Sequence, residues 1–133
     1  MRFAILGLQW LIRLCAVVQL TLGGLFWTGN AYSLVALHML TGIMLVLGLW
    51  VQAALAARAG PGFGMPALAF VVGLIVVGLG MTQDTILPGD LHELIKVVHL
   101  LVGLSAIGLA ESLAQRSLRR IQPNPAGAVV VQV

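Results

Sequence analysis

SLVALHMLTGIMLVLGLWVQAALAA, from Ser33 to Ala57, is a run of 25 residues without one Asp, Glu, Lys or Arg. As an α-helix it would be about 37 Å long at the usual rise, enough to cross about 30 Å of hydrocarbon. It therefore reads as a membrane span, and it carries a histidine, His38, well inside its apolar length.

Three further runs flank it, so the spans are expected at about Ile5 to Trp27, Ser33 to Ala57, Pro66 to Leu87 and Leu91 to Leu113. The connectors are short: Thr28-Gly29-Asn30-Ala31-Tyr32, then Arg58 to Met65 with three glycines and Pro61, then Pro88-Gly89-Asp90. Each holds the turn residues a chain reversal requires. Short links between successive spans predict an all-α fold, an up-down-up-down antiparallel bundle of four transmembrane helices over residues 1–116. Residues 117–133 are expected to form a flexible tail, because Pro123 and Pro125 each disfavour helix in the residue before them.

Composition agrees. Of the 133 residues 60% are hydrophobic and 8% charged, against about 25% charged in a soluble domain. The net charge is +3, yet the seven basic residues sit mostly at the ends of apolar runs. That suits lipid headgroups, and it lacks the clustered stripe a nucleic-acid binder needs. The single cysteine, Cys15, lies inside the first run, so there is no disulfide framework and no thiolate cluster. With Arg13 interrupting the first run and no small-x-small cleavage pattern closing it, that run is expected to be a retained helix.

Orientation follows from the basic residues. Arg2 precedes the first span, Arg58 follows the second, and Arg116, Arg119 and Arg120 follow the fourth. The positive-inside rule then places both termini and the middle connector in the cytoplasm, with Asp84, Asp90, His92 and Glu93 outside, in the inner (plasma) membrane of a bacterium. Arg13, two turns into the first span, reads as an anchor that snorkels to the headgroups, with a buried ion pair as the other option. Gln9 and Gln19 are expected to hydrogen-bond to other helices.

The fourth span holds a second histidine, His99, in the same setting as the first. Both are spelled His-x-x-x-Gly, His38 with Gly42 and His99 with Gly103, which places each glycine one turn on along the same helix face. An imidazole in hydrocarbon is costly unless its ring nitrogens are used. Spans two and four run the same way and can face each other across a bundle core. Zinc would want four ligands, whereas haem b brings four nitrogens and needs only axial side chains. His38 and His99 are therefore expected to be the metal ligands, with Gly42 and Gly103 leaving room for the porphyrin face. For either glycine alone, close packing of helices is the competing account.

His92 and Lys96 precede His99 on nearly the same face and could receive the haem propionates. Two other readings stand beside that one: His92 as the axial ligand in place of His99, or both residues as solvated groups at a helix start. Glu93 and Asp90 are explained as first-turn acids. A weak internal repeat relates the halves, with Leu22-Gly23-Gly24-Leu25 before the first motif and Val77-Gly78-Leu79-Gly80 before the second.

A Gly-Gly-Leu span end, a His-x-x-x-Gly span, a glycine-rich third span ending in Gln83 and a second His-x-x-x-Gly span together resemble one four-helix half of the haem A synthase family. They are also similar to small bacterial four-helix membrane proteins with the same paired motif. The resemblance covers roughly Leu20 to Leu113 and implies that His38 and His99 match the axial histidine pair. Haem A synthases have eight spans and, in many members, an outer cysteine pair. This chain has four spans and no outer cysteine, so what the resemblance implies is the haem-holding scaffold.

The expected function is a membrane b-type cytochrome with one haem b near the outer face, passing single electrons alone or within a redox assembly. Two alternatives stand: a membrane protein for haem transport, chaperoning or sensing, and a structural subunit of a membrane complex whose histidines bond between helices. No nucleophile with a base and no core carboxylate pair suggests bond-making catalysis. The expected partners are the lipid bilayer, redox proteins, or a second copy packed through Gly73 and Gly80 on span three.

Overall fold

The computed structural model describes residues 1–60 and 62–121 and is all-helical over them, with no strand. Four long helices follow in order: α1 Arg2–Trp27, α2 Val35–Arg58, α3 Gly64–Thr82 and α4 His92–Ile121, with a 3-10 turn Tyr32–Leu34 leading into α2. All four are long and apolar enough to cross a membrane.

Two boundaries differ from the expected ones. α3 stops at Thr82 rather than Leu87. The polar triplet Gln83-Asp84-Thr85 breaks the apolar run, and Pro88 excludes the right-handed helical region for Leu87, which takes a left-handed φ of 50°. α4 continues past Leu113 to Ile121, so residues 117–121, expected in the tail, are helical. Ala114 and Ser117 are buried there, and the intervening Gln and Arg residues are good helix formers. The remainder of the expected tail, residues 122–133, lies outside the described residues.

The bundle is inverted relative to a water-soluble one. Large apolar side chains cover the outside, among them Leu68, Phe70, Val71, Leu74 and Ile75 of α3, each about half exposed. Only Ala69 and Gly73 of that helix are buried. The interior is built from Ile12, Cys15 and Ala16 of α1, Leu45, Leu49 and Ala53 of α2, Ala69 of α3, and Ala106, Ala110 and Leu113 of α4. So many small residues let backbones approach closely, which is how helices associate where lipid removes the usual hydrophobic drive. At Gly48 an added Cβ would lie 2.9 Å from Ile12 Cγ1, so only glycine permits that α1–α2 contact.

Polar pins reinforce this packed region. Arg13 reaches across to α4 and makes a bidentate pair with Glu111, Nε to Oε1 at 2.7 Å and Nη2 to Oε2 at 2.8 Å. Gln9 Nε2 donates to the same carboxylate at 2.6 Å. Arg13 is thus held by Glu111 and is no free snorkelling anchor, and its guanidinium lies over the Trp10 ring. Between α2 and α3, the Trp50 indole stacks near Phe70 at 4.9 Å and donates to the Phe70 carbonyl. Gly73 lies against Trp50 and Val46 and Gly80 against His99, so both glycines proposed as a face for a second copy are used within the chain.

Candidate functional site

Where the packed region ends, a cavity of about 860 Å³ opens between all four helices. Every residue singled out from the sequence lines it: His38 and Gly42 from α2, and His92, Lys96, His99 and Gly103 from α4. This convergence follows from depth. His38 lies six residues beyond Tyr32, where the 3-10 turn begins, and His99 seven beyond His92. At the respective rises both sit about 10 Å in from the start of their helices.

The two imidazoles share an unusual condition. Nδ1 of His38 and Nδ1 of His99 are buried and have no hydrogen-bond partner. Such an atom ordinarily costs about 1–3 kcal/mol, and the side-chain amide of the fully buried Gln52, away from the cavity, shares the condition. Phe26 meets the His38 ring edge-on at 5.3 Å and stacks with Tyr32 at 6.0 Å. This aromatic group borders the cavity, together with Trp27.

The glycines divide differently from the sequence reading. A Cβ added to Gly103 would meet nothing within 4 Å, so that position faces open cavity. A Cβ on Gly42 would run into the Gln19 carboxamide, 2.6 Å from Nε2. Gln19 fills that space to donate to the His38 carbonyl and, at 3.1 Å, to Thr41 Oγ1. It therefore fixes the backbone that carries His38, as the sequence led one to expect of a glutamine bonding to another helix.

Two further glycines back the histidine rings. Gly23 of α1 lies nearest His38 Cε1, with a Cβ-equivalent distance of 3.8 Å, and Gly80 of α3 lies nearest His99 Cε1 at 3.4 Å. Sequence reasoning placed Gly23 and Gly80 in a repeat without giving them this role. The signal was available, because a glycine pair precedes each histidine motif. In the folded chain α1 backs the histidine of α2, and α3 backs that of α4.

Lys96 is paired with Glu93, Nζ to Oε1 at 2.7 Å, one helical turn away. Lys96 lines the cavity, and a pair between an exposed carboxylate and an amine is easily exchanged for another partner. Asp84 and Gln83, just beyond the end of α3, also line the rim. Among the described residues no group of three or more His, Cys, Asp or Glu is placed to hold a metal ion. Comparison of the chain with family models, with curated proteins and with solved structures finds no match.

Proposed function

We propose that the protein is a membrane b-type cytochrome, in which His38 and His99 hold one haem b in the cavity between the four helices. The observation that carries this reading is that His38 of α2 and His99 of α4, at matched depth in their helices, line one cavity. Two imidazoles cannot complete a zinc site, but they suffice for a group that brings its own four equatorial nitrogens. The cavity lies within the size range of small-molecule and cofactor sites, about 300–1,000 Å³, and is walled largely by apolar side chains such as Leu20, Ile43, Val76, Leu100 and Leu104. Gly103 leaves space for a flat ligand, and His92 and Lys96 offer cationic partners at the rim for its carboxylates.

Each part of the chain has a distinct task in this reading. His38 and His99 would hold the haem iron through their imidazoles. Gln19 holds the His38 backbone in place, and Gly23 and Gly80 let the rings sit close against α1 and α3. The apolar walls keep water from the site, which raises the weight of every charge near it. Haem bound there would supply one-electron iron chemistry.

The helices are taken to cross the bilayer up-down-up-down, with both termini in the cytoplasm and the cavity towards the outer face of a bacterial inner membrane. The arginines at the opposite end support this by the positive-inside rule. Redox proteins, or a second copy of the chain through some other face, would be its partners.

The test is an absorption spectrum of the full chain expressed with ample haem, oxidised and reduced, for wild type, His38→Ala and His99→Ala. A six-coordinate spectrum lost in both variants is the expected result. Five-coordinate haem after one substitution would point instead to a transport or sensing role. Absence of a Soret band in the wild type would overturn haem binding and leave a structural subunit.

A further inference from the structure

We infer that the end of the bundle opposite the histidines carries an anion site for one phosphate group, formed by Arg116 and Arg120 of α4 over the α2–α3 connector. A separate cavity of about 210 Å³ lies there, lined by both arginines, by buried Ser117 and by Gly62, Gly64 and Met65. Five arginines belong to this end, Arg2, Arg58, Arg116, Arg119 and Arg120. The four acidic residues of the whole chain are Asp84, Asp90, Glu93 and Glu111. Three of these belong to the histidine end, and Glu111 is already held by Arg13 and Gln9. Among the described residues neither Arg116 nor Arg120 has a carboxylate partner.

Charge excess alone would describe any positively charged membrane face; the cavity makes it specific. The Arg120 guanidinium is laid over Gly60, where the absence of a side chain lets it lie close against the connector. The floor of the cavity includes the first residues of α3, whose N-cap Phe63 supplies no side-chain bond to the free amides. Two guanidiniums converging on a concave site match the bidentate geometry of a phosphate group. Basic pockets between helices at headgroup level are where anionic lipids bind. The ligand chemistry is therefore an anionic phosphate group with no cation of its own attached, and a lipid headgroup and free phosphate are its two sources. The inference is independent of the haem reading.

The experiment uses the full chain in a neutral detergent, titrated with phosphatidic acid or with phosphatidylcholine, with bound lipid counted by native mass spectrometry. One phosphatidic acid should be retained, and phosphatidylcholine should not. Arg116→Gln with Arg120→Gln should weaken retention by about a hundredfold or more, beyond the about 25-fold that two diffuse cations would account for, since direct charge-assisted bonds are lost. Arg116→Lys with Arg120→Lys should weaken it less, which separates charge from fork geometry. Arg119→Gln, which removes one charge outside the cavity, should change retention by no more than about fivefold, the diffuse contribution of one surface cation. Displacement of the lipid by millimolar inorganic phosphate would identify free phosphate as the ligand, and persistence would identify the lipid. Equal retention of phosphatidylcholine, or a loss in Arg119→Gln as large as in the double variant, overturns the site.

Discussion

Removing an imidazole from the cavity should strengthen the haem-free protein. Nδ1 of His99 is buried and unpartnered, and a buried polar atom left without a bond costs about 1–3 kcal/mol. His99→Leu removes that cost while keeping apolar bulk next to Gly80. Some of the gain is lost if the branched side chain crowds Gly80, where the ring tip already stands at a Cβ-equivalent distance of 3.4 Å. The net expectation is a rise in unfolding free energy of about 1 kcal/mol for His99→Leu, and likewise for His38→Leu. The double variant should gain less than the sum, because both positions border one cavity. Unfolding of haem-free protein in mixed micelles of dodecyl maltoside and dodecyl sulfate, followed by circular dichroism, measures this. With haem at a hundredfold excess over its Kd the wild type should gain about 2.7 kcal/mol and the double variant nothing, so the order of stability reverses. A loss of about 1 kcal/mol or more in both haem-free single variants would refute the reasoning, because it would mean that the rings hold the helices together by themselves.

Gly80→Val should push the His99 ring out of place and reduce haem retention, and Gly23→Val should do the same more weakly at His38, since 3.8 Å leaves more room than 3.4 Å; spectra after a haem titration check the order. Gln19→Leu removes two donated bonds, to the His38 carbonyl and to Thr41, and should cost about 1 kcal/mol of stability with a broadened low-spin spectrum, since polar bonds between membrane helices average about 0.6 kcal/mol each. Glu111→Gln should loosen α1 from α4. A double-mutant cycle with Arg13→Gln should show strong coupling, whereas a free anchor at Arg13 predicts none. Lys96→Gln should leave the fold intact, because its partner Glu93 is exposed, and should lower haem affinity if the amine meets a propionate.

The fold was legible in hydropathy because four apolar runs separated by turn residues leave few alternatives. Its ends were less so. Averaging over a window joins Ile86 and Leu87 to the third run across Gln83-Asp84-Thr85, although three successive polar residues end the helix at Thr82. At α4 the opposite error arises, since the hydropathy falls after Leu113 while helix-forming residues and the burial of Ala114 and Ser117 carry the helix on. The residues that line the cavity could be picked out because a helical period relates each histidine to its glycine within one element. What could not be read was register between elements. That Gln19 occupies the space before Gly42, that Gly80 rather than Gly103 backs His99, and that Glu111 faces Arg13 all depend on how far one helix slides along its neighbour. That sliding is set by the packing of Ala, Gly and Leu side chains and has no local signature.

The same packing explains why the cavity lies at one end. The Arg13–Gln9–Glu111 network and the Trp50–Phe70 contact both fall in the region filled by Ile12, Leu49, Ala53, Ala69, Ala106 and Ala110. α1 is thereby pinned to α4, and α2 to α3, in one half of the bundle. In the other half Gly23, Gly80 and Gly103 replace the bulk that would fill the space, and Gln19 is the polar tie between α1 and α2. A close-packed interior leaves few voids larger than a water molecule, so a hollow of this size between the helices sets this half apart from the packed one. The packed half supplies the rigidity that keeps the hollow half open. A ligand bridging His38 and His99 would add a link between α2 and α4 at that end.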